Sequence, residues 1–209
     1  MTLWDFTYFN IFLYCLTAIT THLLMSLGQT LFHRYLGHHR LGGRFFTRHL
    51  QFHHAFYSGD HIISSDHPDN EGNNTPFFLI PTALVIGLSY LFLRLDVFFV
   101  QLVAMSLSFG AHVYLDKQYH MAGSWLGRFS WFREKQQLHL VHHRHANCNF
   151  AVIDFFWDRV FGSYLQPGTA RRGRGSRGSS RGKPIFITKV THRKRPLGEQ
   201  PRPLAMPTK

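Results

Sequence analysis

From Phe6 to Phe32 the chain carries no charged side chain apart from the ionisable His22. At about 1.5 Å per residue such a run crosses a hydrocarbon layer of about 30 Å, and lipid leaves a backbone little choice but to hydrogen-bond internally as a helix. The run therefore predicts a membrane-spanning helix. A second apolar region has a different shape: Phe77 to Leu93 is uncharged, Arg94-Leu95-Asp96 interrupts, and Val97 to Leu115 continues with His112 as its ionisable group. That pattern predicts a tight helical hairpin, giving about three spans in all. The N-terminal Met-Thr-Leu-Trp-Asp-Phe has no basic region before the apolar run, so the first span reads as a retained membrane segment and not a cleaved signal.

Charge is spread unevenly. Residues 167–209 hold twelve of the 23 Lys and Arg and a single acid, Glu199, which leaves the body near neutrality. The tail is rich in Arg, Gly, Ser and Pro and buries too little apolar surface to offset its ordering entropy. The chain thus divides into a membrane-embedded domain, 1–166, and a basic tail, 167–209, expected to be disordered. No aromatic residue interleaves between 167 and 185, which disfavours nucleic-acid binding and favours contact with anionic lipid. Arg34, Arg40, Arg44 and Arg48 follow the first span, and Lys117, Arg128, Arg133, Lys135 and the tail follow the third. Because Lys and Arg accumulate in cytoplasmic loops, both groups are expected on the cytoplasmic face, in a bacterial inner membrane or the endoplasmic reticulum of a eukaryote. The two cysteines, Cys15 and Cys148, form no CxxC pair, so neither a disulfide framework nor a cysteine zinc site is expected.

Twelve of the sixteen histidines cluster beside these apolar segments: His33, His38 and His39; His49, His53 and His54; His112 and His120; and His139, His142, His143 and His145. Imidazole suits iron, copper and zinc, and one isolated pair at helical spacing would carry little weight. Three complete boxes on one predicted side of a membrane point to a polynuclear metal site. On an α-helix His49 and His53, four apart, share a face and are expected to converge on one ion, with His54 turned toward a second. The five-residue step from His33 to His38 suits a helix end whose last turn loosens. His112, Asp116 and His120 form a stripe at steps of four. His22 and His192 are expected to be, respectively, a hydrogen-bonded residue between helices and a solvated tail residue. Arg34, Arg144 and Lys117 are candidates for holding an anionic lipid headgroup.

The order His33-x4-His38, His49-x3-His53-His54 and His139-x2-His142-His143, closed by Asn149-Phe150 and by Trp157-Asp158-Arg159-Val160-Phe161-Gly162, resembles the fatty acid hydroxylase and sterol desaturase superfamily of membrane di-metal oxygenases. The resemblance covers roughly residues 30–165. It implies an all-α, integral-membrane helical bundle with a cytoplasmic histidine-rich helical cap, and two metal ions, iron foremost with zinc as the alternative on purification. Their implied ligands are His33, His38, His49, His53, His54, His112, His120, His139, His142 and His143. Molecular oxygen would be the co-substrate and a membrane lipid the substrate. Electrons would come from an external donor, a ferredoxin or a b-type cytochrome with its reductase.

Hydroxylation of a fatty acyl chain or related lipid is the leading activity. Acyl or sterol desaturation, carotenoid hydroxylation, and a non-catalytic metal-binding role are the alternatives. One departure from the family's pattern stands out: His120 matches the first histidine of a His-x3-His box, but Ser124 occupies the second position. His112 or Asp116 on the adjacent turns are the candidate replacements, with His112 favoured. Since neutral imidazole binds metal, metal and activity are expected to be lost as pH falls below about 6.

Overall fold

The structure, a computed structural model, describes residues 3–65 and 75–168. His67, and all of the basic tail beyond Gly168 with its expected disorder, lie outside the described residues.

Helix α1, Leu3–Phe32, runs unbroken through the first apolar stretch. Its Thr17 and Thr30 hydroxyls donate to the carbonyls of Leu13 and Ser26 one turn back, both at 2.8 Å, so neither needs a partner outside the helix. The helix then widens into a π-helical turn, His33–Gly37. After a 3₁₀ turn at Arg40–Gly42 comes a composite helix made of α2 (Arg44–Phe46), a π-helical stretch (Thr47–His53) and α3 (His54–Phe56).

The expected hairpin is present. Helix α4, Thr75–Phe92, is followed after two residues by α5, Leu95–His120. Asp96 lies in the first turn of α5, where a carboxylate complements the helix dipole. It also ties the hairpin to α1, accepting hydrogen bonds from Tyr14 Oη and Arg94 Nη2, each at 2.6 Å, while Arg94 also donates to Asn10 Oδ1 at 3.2 Å. A second tie, His22 Nδ1 to Ser108 Oγ at 3.1 Å, lies further along both helices in the same direction, so α1 and α5 run parallel. His22 is thus bonded between helices, as its position in an apolar run demands. Its Nε2 also meets Asp154 Oδ2 at 3.1 Å.

Two stretches, Thr7–Gly37 and Leu95–His120, are long and apolar enough to cross a bilayer, and Ile80–Phe92 is a shorter apolar helix, giving two to three spans. Only 11% and 28% of the most apolar windows of the two long helices are buried, which is not how the core helix of a water-soluble protein behaves. Phe12, Leu24, Leu88, Leu91, Phe99 and Leu107 all face outward. Two long apolar helices with outward apolar faces suggest a membrane protein.

Beyond α5, the chain turns through Trp125–Arg128 into α6, Ser130–Arg144. A core of Leu115, Tyr119, Leu126, Phe132, Val152 and Ile153 joins α5, α6 and the segment that follows. The apolar residues of 150–165 recur at roughly helical spacing, yet only α7, Phe156–Val160, is helical there. The reason is local. The N–H groups of Phe150 and Ala151 bond the Asp158 carboxylate, which holds 150–155 as a buried, irregular strap over α6.

Candidate metal centre

The histidines are brought together by unusual helix winding. A π-helix places residues five apart above one another, where an α-helix does so for residues four apart. Accordingly His33 and His38 share a face, with Nε2 atoms 3.2 Å apart, and so do His49 and His54, also at 3.2 Å. The expected convergence of His49 and His53 on one ion is therefore corrected: the π-helical Thr47–His53 stretch sends them to different groups. On regular α6, His139 and His143 keep the four-residue relation and His142 turns the other way.

Two groups result. His33, His38, His49, His54 and His142 form the first, and His53, His120, His139 and His143 the second. Within each, one nitrogen per ring lies within 4.8 Å of all the others. The closest Nε2 pairs are His33 with His49 at 2.7 Å and His120 with His139 at 3.0 Å. The groups adjoin, since the His54 and His143 rings stack with centroids 4.1 Å apart. His112, expected as a ligand, lies in neither group. Asp116, the other candidate, approaches the second: its Oδ1 is 3.5 Å from His139 Nε2. Ser124 lies past the end of α5, where Gly123 takes a positive φ of 76°, and its hydroxyl donates to Gln118 Oε1 at 2.6 Å. His39, His61 and His145 are exposed.

Four rings are oriented by backbone carbonyls. His33 Nδ1 faces Phe150 O at 2.5 Å, His142 Nδ1 faces Cys148 O at 2.7 Å, His120 Nδ1 faces Ile62 O at 2.8 Å, and His143 Nδ1 faces Tyr57 O at 3.2 Å. A carbonyl only accepts, so each Nδ1 must carry the proton and each Nε2 must present its lone pair to the group. The buried Nε2 atoms of His142 and His143 have no hydrogen-bond partner, a cost of roughly 1–3 kcal/mol each that a cation would relieve. Burial, then mutual proximity, holds His38, His49, His54, His139, His142 and His143 below the ordinary histidine value of 6.5, in the neutral form that binds metal. The residues fit metal ions in number, orientation and protonation.

Sequence reasoning missed the parts that set these orientations. Ser64 N–H donates to His120 O and Ala122 N–H to Ser64 O, both at 2.8 Å, which docks the Ile62 region onto the end of α5. Tyr57 stacks on His120 with centroids 3.8 Å apart. Asn149 adopts a φ of 53°, braced by bonds from its Nδ2 to Leu138 O and Leu165 O, and from Leu165 N–H to its Oδ1. Arg34, a candidate headgroup contact, lies over the Phe150 ring at 5.4 Å. Cys148 donates its thiol to His145 O, and burial pushes that thiol up to about 11, so it stays protonated. Of these features, Asn149 and Arg34 had a signal in the sequence, though not for the contacts they make.

An all-helical chain with long apolar helices and two buried histidine groups that could hold metal ions defines a class, the histidine-box membrane metalloproteins. The model of the fatty acid hydroxylase family matches residues 4–163, and the chain belongs to that family. No curated protein and no solved structure matches it. Family membership implies oxidoreductase activity and agrees with the resemblance carried by the histidine boxes.

Proposed function

We propose that this protein is an oxygen-dependent lipid hydroxylase whose two histidine groups hold two iron ions. The observation that carries this reading is the pair of adjoining buried groups, their ring nitrogens oriented by backbone carbonyls, at the ends of apolar helices in a fatty acid hydroxylase chain. His33, His38, His49, His54 and His142 would hold one ion, and His53, His120, His139 and His143 the other. When bound, the metal would supply reductive activation of oxygen strong enough to oxidise an unactivated C–H bond.

The chain's own residues do the rest. The carbonyls of Phe150, Cys148, Ile62 and Tyr57 fix the ligand tautomers, and hydrogen bonds to the far nitrogen of a ligand ring typically matter about 10- to 100-fold in affinity or activity. The buried strap 150–155, the fully buried Tyr57 stacked on His120 and the fully buried Tyr119 beside His139 keep water from the site. The outward apolar faces of α1, α4 and α5 would pass a lipid chain from the bilayer to it. Converting a C–H bond and oxygen to an alcohol and water consumes two electrons and two protons. A separate donor, a ferredoxin or a b-type cytochrome with its reductase, would supply the electrons. Under the positive-inside rule, the basic loops support a site on the cytoplasmic face.

Elemental analysis of detergent-purified protein, followed by mass spectrometry of candidate lipids after turnover with a reductase, tests this reading. Two irons per chain and a product heavier by one oxygen are expected. Loss of two hydrogens would mark a desaturase, and a chain that binds no metal would overturn the proposal.

A further inference from the structure

We propose that Asp116 is a carboxylate ligand of the second histidine group and takes the place of the histidine missing at Ser124. The proposal rests on the two-metal reading above. The first group has five imidazoles and the second four. Asp116 precedes His120 by one α-helical turn on α5, so both residues project to the same side, and Asp116 Oδ1 lies 3.5 Å from His139 Nε2. That separation is longer by 0.3 Å or more than the closest approaches between histidines within the groups, 2.7–3.2 Å, and is short enough for both atoms to face one ion. Asp116, like His112 one turn earlier, lies outside the sets of atoms that are all within 4.8 Å of one another, but of the three candidates it is the one with an atom 3.5 Å from a ring nitrogen of the second group, while Ser124 bonds Gln118 beyond the helix end.

Charge supports the same assignment. Nine neutral imidazoles leave the charge of two divalent cations uncompensated in a buried site, and an anionic donor lowers the cost of holding them there. Asp116 is suited to this, with its side chain 29% exposed. The two metal positions would then differ chemically, one all-imidazole and the other mixed imidazole and carboxylate. The oxygen donor gives the second position a stronger preference for a hard cation.

The test uses the full chain in detergent, loaded with ferrous iron without oxygen and then challenged with a chelator. The wild type is expected to release its two irons at distinct rates. Asp116→Asn, which preserves shape but removes the anion, should weaken the second iron by at least about 10-fold and leave the first in place. Asp116→His, which restores a donor, should recover it.

A second measurement is independent of any variant's folding. In wild-type protein labelled with ¹³C at aspartate carboxyls, iron loading should shift a carboxylate stretch in the infrared difference spectrum. Two irons bound with unchanged release in Asp116→Asn, or no iron-dependent aspartate band in the wild type, would overturn the role of Asp116 alone. A wild type that binds no iron would overturn the oxygenase reading, and this assignment with it.

Discussion

The Asp158 carboxylate and the Phe150 backbone are locked together: Asp158 Oδ1 accepts the Phe150 N–H at 2.8 Å, while the Phe150 carbonyl faces His33 Nδ1. Asp158 Oδ2 takes the Ala151 N–H at 2.9 Å, and the Ser163 hydroxyl donates to Oδ1 at 2.8 Å. A fully buried carboxylate thus holds the turn whose Phe150 and Cys148 carbonyls orient two rings of the first histidine group. Asp158→Ala leaves buried N–H donors without an acceptor and frees those carbonyls. First-group metal affinity is expected to fall about 10- to 100-fold, with second-group affinity less affected. Metal titration of the purified variant checks this, and unchanged affinity in both groups would contradict it.

The partition of neighbouring histidines makes a second prediction. His49 and His54 belong to one group and His53 to the other. His49→Ala with His54→Ala should therefore lose one metal, as either single change does, whereas His49→Ala with His53→Ala should lose both. Metal content per chain distinguishes the two double variants. The reverse pattern would show that the π-helical winding of Thr47–His53 does not hold in the loaded protein.

Gly37 matters for space. A Cβ there would lie 3.0 Å from His49 Cδ2, 3.2 Å from His33 Cδ2 and 3.3 Å from Phe45 Cε1. All three neighbours are ring atoms in a packed setting, so Gly37→Ala must displace ligand rings. Overpacking of this kind costs about 1–3 kcal/mol. The variant should lower the thermal midpoint and weaken first-group metal, both measurable on detergent-solubilised protein. A variant that retains metal like the wild type would show that the rings shift freely.

Stability without metal should depend on pH in a definite direction. Burial holds His38, His49, His54, His139, His142 and His143 below their ordinary value of 6.5 in the folded chain. Below about 6.5 the unfolded chain binds protons that the folded chain refuses, so stability falls as pH drops toward the folded values, by up to about 1.4 kcal/mol per pH unit for each such histidine. Metal-free protein should melt progressively lower between pH 7.5 and pH 5, and metal should shift the curve upward. A flat profile would mean that these rings are solvated.

Much of the architecture was legible because it depends on local pattern. The uncharged run from Phe6 to Phe32 has one structural outcome in an apolar medium, and α1 follows it. The Arg94-Leu95-Asp96 break marked the hairpin to within two residues, because charged groups end an apolar run wherever they fall. Residues 150–165 carry apolar residues at roughly helical spacing and yet stay largely irregular, because apolar spacing does not register a carboxylate, Asp158, that competes for backbone N–H groups.

The site divides the same way. Its residue types and box spacings are local, and nine of the ten expected histidines come together in the two groups. Which histidine joins which group depends on whether a helix turns every four or five residues, and the sequence does not encode that winding in any simple period. The ring orientations depend on partners as remote as Phe150 for His33, 117 residues away, and Ile62 for His120, 58 residues away. The sequence by itself determined the helices, the histidine inventory and the family. Only the tertiary structure decided the division into two groups, the direction of each lone pair and the approach of Asp116, because these arise where distant segments meet.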